Sequence, residues 1–178
     1  MTLGDLLSKP AVQIAAAVIL PNAGGWVNGV ITKKNIKSWY EGLKHPSFRP
    51  PNWLFGPVWT ALYSGMGYAS YVVWKQGGGF GGQAKFPLML YGAQLALNWA
   101  WSPIFFHYHE LKWSTVEIGA LTATAAATGI AFYNIEKVAG LIFVPYLAWL
   151  SFASLLNYSI YRLNTPAIED KKPEEKKK

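Results

Sequence analysis

The sequence predicts an all-α membrane protein: a five-transmembrane-helix bundle with a proline-rich loop between helices 1 and 2. Three observations predict it. Only 14% of the 178 residues are charged, against about 25% in an ordinary soluble domain. Much of that charge sits in two places, the first loop and the tail beyond Arg162. What remains divides into five long apolar runs, whose interiors hold no Lys, Arg, Asp or Glu except Glu117, one turn inside the fourth. Mean hydropathy is only +0.15, because Trp, Tyr and the charged tail pull the average down.

The first run is Pro10 to Thr32. As a helix it is about 34 Å long, enough to cross a bilayer. It reads as a retained first helix rather than a cleaved signal, because the uncharged run continues well past Ala15-Ala16-Ala17. The first loop follows. Pro46, Pro50 and Pro51 lack amide donors and fix their own backbone angles. Each also pushes the preceding residue toward extended geometry. Lys44 to Asn52 is therefore expected to be an ordered, non-helical strap, folded over one mouth of the bundle.

The second run is Trp53 to Trp74, with Pro57 near its start, where a missing amide costs least. The stretch GGGFGGQAK (Gly77 to Lys85) ends it with a flexible loop. The third run is Phe86 to Phe106, followed by a polar turn, HYHELK. The fourth is Ser114 to Ile135, with Glu136 and Lys137 as the next turn, and the fifth is Val138 to Tyr161. Short connections make neighbouring helices antiparallel. Residues 1–163 form the five-helix transmembrane domain. Residues 164–178 read as a disordered, charged cytoplasmic tail.

Five spans put the termini on opposite faces of the membrane. The C-terminal face holds Lys33, Lys34, Lys37, Lys44, Arg49, Lys112, Arg162 and the five tail lysines, and the other face only Lys9, Lys75, Lys85 and Lys137. The positive-inside rule places the C-terminus and the strap on the cytoplasmic side. The net charge of +7 then sets topology and contacts membrane lipids rather than nucleic acid. With no cysteine, neither disulfides nor thiol chemistry are available. A chain without charge inside its spans is not built as an ion-coupled pump. No phosphate loop and no Ser-His-Asp set is present, and no cofactor is required.

Nine tryptophans dominate the candidate chemistry. Trp39, Trp53, Trp74 and Trp113 fall at the ends of runs, where the ring anchors at the membrane interface. Trp59, Trp99, Trp101 and Trp149 fall within runs, where an indole N–H needs a partner. Trp149, Ala153, Leu156 and Ile160 share one helical face. Core packing and an interhelical cavity explain that face equally well. Gln94, Asn98 and Asn157 are costly in hydrocarbon unless paired, so they are expected to bond neighbouring helices, with Asn98 also a candidate donor to a ligand. Gly92, Ala96 and Ala100 form a small-residue line on the third helix, as do Gly25 and Gly29 on the first and Ala61 and Gly65 on the second. Leu156, Tyr158 and Arg162 match a proposed cholesterol-recognition pattern, a weak signal by itself. His107 and His109 lack enough neighbouring donors for a metal site, and no role is given to them.

Several segments carry a resemblance. They are the run from WYEGLKHPSFRPPNW through GPVWTALYSGMGYASYVVW, QLALNWAWSPIFF, and PYLAWLSFASLLNY on to Arg162. Together they resemble the translocator protein family, also called the tryptophan-rich sensory proteins or peripheral-type benzodiazepine receptors. The resemblance covers roughly Trp26 to Arg162. It implies an integral membrane receptor or translocator that binds cholesterol, porphyrins (protoporphyrin IX, heme) and benzodiazepine- or isoquinoline-type ligands in an aromatic pocket, and it favours the cavity over simple core packing. Carried over by position, the pocket would use Gly29, Phe55, Gly56, Val58, Trp59, Trp101, Trp113, Val116, Ala120, Trp149, Ala153 and Leu156. Residue types at Gly29, Phe55, Val116 and Ala120 depart from the family's usual ones, which bears on ligand preference. The resemblance further implies a sterol site near Tyr158 and Arg162, a homodimer through Gly92, Ala96 and Ala100, and the mitochondrial outer membrane. An alternative it raises is a light-dependent porphyrin-degrading enzyme with Trp59 and Trp149 as catalytic residues.

Overall fold

In the computed structural model, which describes residues 4–5 and 8–169 with side chains through Thr165, the chain is helical with no strand among the described residues. The helices are α1 (Pro10–Ile36), α2 (Asn52–Gln76), α3 (Lys85–Ser102), α4 (Leu111–Ile135), α5 (Lys137–Leu141) and α6 (Phe143–Glu169). The last two together make the fifth span. By length and apolar composition α1, α4 and the fifth span are each able to cross a membrane. Tryptophan, tyrosine and amide side chains lower the hydropathy of α2 and α3, although α2 has 25 residues and α3 has 18.

The break at Ile142 has a local cause. Pro145 can give no amide to the carbonyl of Leu141, and its ring crowds that position. The chain restarts as α6, and Glu136 caps α5 by accepting from the Val138 N–H at 3.3 Å. At its other end α6 runs past residue 163, the expected domain boundary, to Glu169. The rest of the charged tail lies outside the described residues.

The helices close into a ring. α1 packs on α2, α2 on the fifth span, α6 on α4, α4 on α3, and α3 returns to α1. Pro21 sits inside α1 and leaves the Ala17 carbonyl without its helical donor. The bare Cα of Gly67 on α2 lies against that carbonyl, so a side chain there would collide with the α1 backbone. Polar bonds hold the rest of α1. The Asn22 side-chain amide donates to Ser64 Oγ at 3.2 Å, and the Trp99 indole to the Pro21 carbonyl at 3.3 Å. The Asn28 amide donates to the Trp99 carbonyl at 2.9 Å.

The strap is non-helical from Leu43 to Pro51, as the prolines require. A short 3-10 turn, Tyr40–Gly42, leads into it. Beyond α3 the chain makes a π turn, Pro103–His107, in which the Tyr108 N–H reaches back to the Pro103 carbonyl at 3.0 Å. This wider turn buries the adjacent Phe105 and Phe106 together. They join Tyr40, Leu111, Leu156 and Ile160 in an apolar cluster beneath the strap. A larger cluster, which includes Tyr63, Met66, Leu95, Leu121, Phe132, Tyr146 and Leu150, fills the other half of the bundle.

Candidate functional site

Between the two clusters lies a cavity of about 530 Å³. Its walls come from α1, α2, α3, α4 and α6, so it exists only when the ring is closed. Gly29, Phe55, Gly56, Trp59, Asn98, Trp101, Trp149, Ala153 and Leu156 all line it. Val58, Trp113, Val116 and Ala120 do not. Trp113 and Val116 are 61% and 56% exposed, on the outer face of α4 with Ala120. The wall that α4 does supply is Ile118 and Leu121. The heptad-like repeat turns those two inward, which leaves the 113–116–120 face outward.

The rings along the wall form a continuous aromatic surface. Trp59 and Trp149 meet edge to face with centroids 6.4 Å apart at 86°. Phe55 meets Trp149 at 5.7 Å, and Trp101 stacks on Phe105 at 5.0 Å and 19°. Such edge-to-face and offset contacts hold the rings in fixed orientations.

One polar chain crosses the bundle beside these rings. Tyr63 OH donates to Asn98 Oδ1, and the Asn98 amide donates to Tyr146 OH at 2.9 Å. Tyr146 OH in turn donates to Gln94 Oε1 at 2.9 Å. Asn98 thus joins α2, α3 and α6, as its position in hydrocarbon demands. Asn157 ties α6 to α4 by donating to Thr115 Oγ1 at 2.6 Å and to Ser114 Oγ at 3.3 Å. The indole N–H groups of Trp101 and Trp149 and Asn157 Oδ1 are buried without a hydrogen-bond partner among the described residues.

The mouth under the strap is held by a second set of contacts. Tyr40 lines the cavity and is 6% exposed. Its carbonyl bonds His45 Nε2 at 2.9 Å, its ring packs on the His45 ring at 4.6 Å, and the Arg49 guanidinium lies 5.5 Å over it. Burial pushes the Tyr40 phenol up, an effect that Arg49 opposes. Burial, with Arg49 adding to it, holds His45 below its ordinary value. On the neighbouring turn His109 adopts φ 57° and stacks on Trp39 at 4.1 Å and 20°. No cluster of three potential metal ligands occurs among the described residues.

The other expected positions fall outside the cavity or on its edge. Tyr158 is 48% exposed and Arg162 is exposed beside it, while Leu156 is buried and faces inward. The three residues of that pattern therefore do not share a face. Gly92 and Ala96 are exposed on α3 with Ala100 partly so, and nothing lies within 4 Å of where a Gly92 side chain would stand. Sequence reasoning missed Tyr40, Tyr63, Phe105 and Phe106 as wall residues. The doubled aromatic after Pro103 was the available signal, but only the π turn explains why both rings point inward.

The family model for the TspO/MBR family matches residues 17–162. The chain belongs to the TspO/MBR family. It is 44% identical over 158 residues to the translocator protein of Homo sapiens, covering 89% of this chain and 94% of that one. It is 40% identical over 169 residues to the translocator protein of Sus scrofa, covering 95% and 100%. The tryptophan-rich protein TspO of Archaeoglobus fulgidus is 37% identical over 152 residues, covering 85% and 97%. As a TspO/MBR family member with membrane-spanning helices, the chain is an integral membrane protein of the translocator and receptor type.

Proposed function

We propose that this TspO/MBR family member binds flat, apolar ligands in the interhelical cavity, with porphyrins (protoporphyrin IX, heme), sterols such as cholesterol and benzodiazepine- or isoquinoline-type compounds as the ligand classes. The observation that carries the reading is the cavity of about 530 Å³ walled by Phe55, Trp59, Trp101 and Trp149. Ligand sites are typically about 300–1,000 Å³, mostly apolar, with a few polar groups that set orientation. Here Asn98 and Lys33, the latter near the strap end of α1, are among the polar groups on the wall. A further sterol site would lie on the outer surface at Tyr158 and Arg162. Two copies would pair through Gly92, Ala96 and Ala100, and the membrane would be the mitochondrial outer membrane with the C-terminus cytoplasmic.

The test is a titration of detergent-purified protein with protoporphyrin IX in the dark, read by tryptophan quenching. Wild type should quench saturably, and Trp59→Phe and Trp149→Phe should each weaken binding. Losing the larger ring is expected to cost roughly 1 kcal/mol, about a fivefold rise in Kd. Quenching that does not saturate, and is the same in both variants, would sink the cavity reading.

A second reading rests on one contact. The Trp59 and Trp149 rings meet edge to face on the cavity wall, so a bound porphyrin would have two indoles within reach as electron donors when excited by light. Illumination of the same samples tests this. Loss of porphyrin absorbance that disappears in Trp59→Phe supports a light-dependent degrading activity, and equal bleaching in the variant rejects it.

A further inference from the structure

The cavity is closed at both ends of the bundle and open at its side. At the end away from the strap, the Tyr63–Asn98–Tyr146–Gln94 chain spans α2, α3 and α6, and Met66 is buried one turn further on. At the strap end, buried Tyr40 packs among Phe105, Phe106 and Leu156. The strap above it is pinned: the Lys44 N–H donates to Asn164 Oδ1 at 3.0 Å, and Asn164 Nδ2 donates to the Lys44 carbonyl at 3.0 Å. Neither end offers a ligand a path without breaking hydrogen bonds.

The side is different. α1 and α2 run antiparallel and touch closely along α1 as far as Gly25, where Gly67 meets Ala17, Asn22 meets Ser64, and Gly25 meets the Tyr63 ring. Toward the strap the glycines are uncovered. A side chain added at Gly29 on α1 or at Gly56 on α2 would meet nothing within 4 Å. Both glycines are exposed, and both line the cavity. Trp26 and Val30 also line it while being 63% and 58% exposed. A residue on the outer surface and on a cavity wall at once stands on the rim of an opening. Lys33 and Asn52 form the polar corner of this rim nearest the strap. With Lys33 reaching to the headgroups, the gap would open into hydrocarbon just below it.

We propose that ligand exchanges sideways with the lipid phase, through the gap between α1 and α2 rimmed by Gly29, Gly56, Trp26 and Val30. This rests on the cavity reading above. The molecule admitted is one already dissolved in the bilayer, apolar and thin enough to pass between two helices. The pinned strap then serves to close the aqueous end, not to admit ligand.

The chain has no cysteine among the described residues or elsewhere, so single thiols can be introduced cleanly. Gly29→Cys and Gly56→Cys proteins, in phosphatidylcholine vesicles, would be modified with a methyl or a benzyl methanethiosulfonate. Protoporphyrin IX association and dissociation would be followed by tryptophan quenching. Relative to the methyl adduct, the benzyl adduct is expected to slow both association and dissociation, by roughly an order of magnitude, with recovery in reductant. The same adduct on Gly119→Cys, on the outer face of α4 with nothing within 4 Å, should leave both rates alone. Unchanged rates at both rim positions overturn the proposal, as does a weakened Kd with unchanged association, which marks a blocked cavity rather than a blocked path. A nitroxide on Gly29→Cys gives a readout that needs no ligand. It should relax with oxygen in the lipid and not with an aqueous nickel chelate, and the reverse result overturns the lateral path. Unmodified protein that shows no saturable quenching, with a lipid-facing nitroxide, would bring down the ligand reading while the gap itself stands.

Discussion

The side-chain amide of Asn164 brackets the backbone of Lys44, accepting from its N–H and donating to its carbonyl, each at 3.0 Å. The same amide donates to the Ile160 carbonyl one turn back, at 2.8 Å. One residue near the end of α6 thus fixes a strap 120 positions earlier in the chain. Asn164→Ala removes both strap bonds. With about 0.5–1.5 kcal/mol net for each, the strap should be released well before the bundle unfolds. Trypsin cleavage after Lys44 should rise in Asn164→Ala, with the thermal midpoint of the helices little changed. Equal cleavage of variant and wild type would show that the prolines alone hold the strap.

Strap docking should weaken in acid. Burial, aided by Arg49, lowers His45 from its ordinary value of 6.5, against the opposing bond to the Tyr40 carbonyl. A released strap therefore takes up the His45 proton at a higher pH than a docked one. Above about pH 6.5 both forms are neutral and docking is independent of pH. Below it the released form binds more protons, so docking is lost as pH falls. A nitroxide on exposed Ser47→Cys should become more mobile as pH drops through this window, and His45→Phe should flatten the change. Mobility that rises toward alkaline pH would reverse the sign.

Two glycine substitutions should separate contact from exposure. Gly67→Ala drives a methyl into the Ala17 carbonyl and to 2.9 Å from Val18 Cα. Overpacking against backbone is expected to cost about 1–3 kcal/mol. Gly92→Ala meets open space and should be neutral or stabilising by about 0.5–1 kcal/mol, since alanine favours a helix. Thermal unfolding in one detergent checks both, and a Gly67→Ala protein as stable as wild type would mean that α1 shifts without penalty.

Asn98 is the hub of the buried polar chain, so its loss should exceed that of either tyrosine hydroxyl. Asn98→Leu leaves the hydroxyls of Tyr63 and Tyr146 each short of a partner, at about 1–3 kcal/mol per stranded group. Tyr63→Phe removes only one bond to Asn98. Unfolding midpoints should fall in the order wild type, Tyr63→Phe, Asn98→Leu. Equal midpoints for the two variants would place the stabilisation elsewhere in the network.

Pairing through α3 is checked by Ala96→Leu. This exposed position should accept the larger side chain within the protomer, while the close approach that small residues allow between helices is lost. The variant should run as a monomer by light scattering of the detergent complex where wild type runs as a dimer. A dimer in both would exclude this face.

Much of the site was legible because some signals are local. Prolines at 46, 50 and 51 together remove amide donors and extend the residues before them wherever the chain goes, and the strap is non-helical as expected. The 149–153–156 face of α6 faces the cavity because helical spacing makes those residues neighbours. Other features had no local signal. The direction in which α4 turns its aromatic end depends on how α4 sits between α3 and α6, and this left Trp113, Val116 and Ala120 outside. The inward rings of Phe105 and Phe106 depend on a π turn that spacing rules for an α-helix do not anticipate.

By itself the sequence determined a helical membrane protein with five runs, its strap, the family, and the aromatic residues from which a wall can be made. Those follow from composition, backbone chemistry and period, which act over a few residues at a time. Only the tertiary structure decided that Asn164 holds Lys44, that Asn98 links three helices, and that Gly29 and Gly56 stand uncovered on the cavity wall while Gly67 is packed tightly. Each of these joins groups far apart in the chain. Their contacts depend on helix rotation and separation, quantities to which hydrophobic burial is nearly indifferent and which side-chain shape and hydrogen bonding must fix.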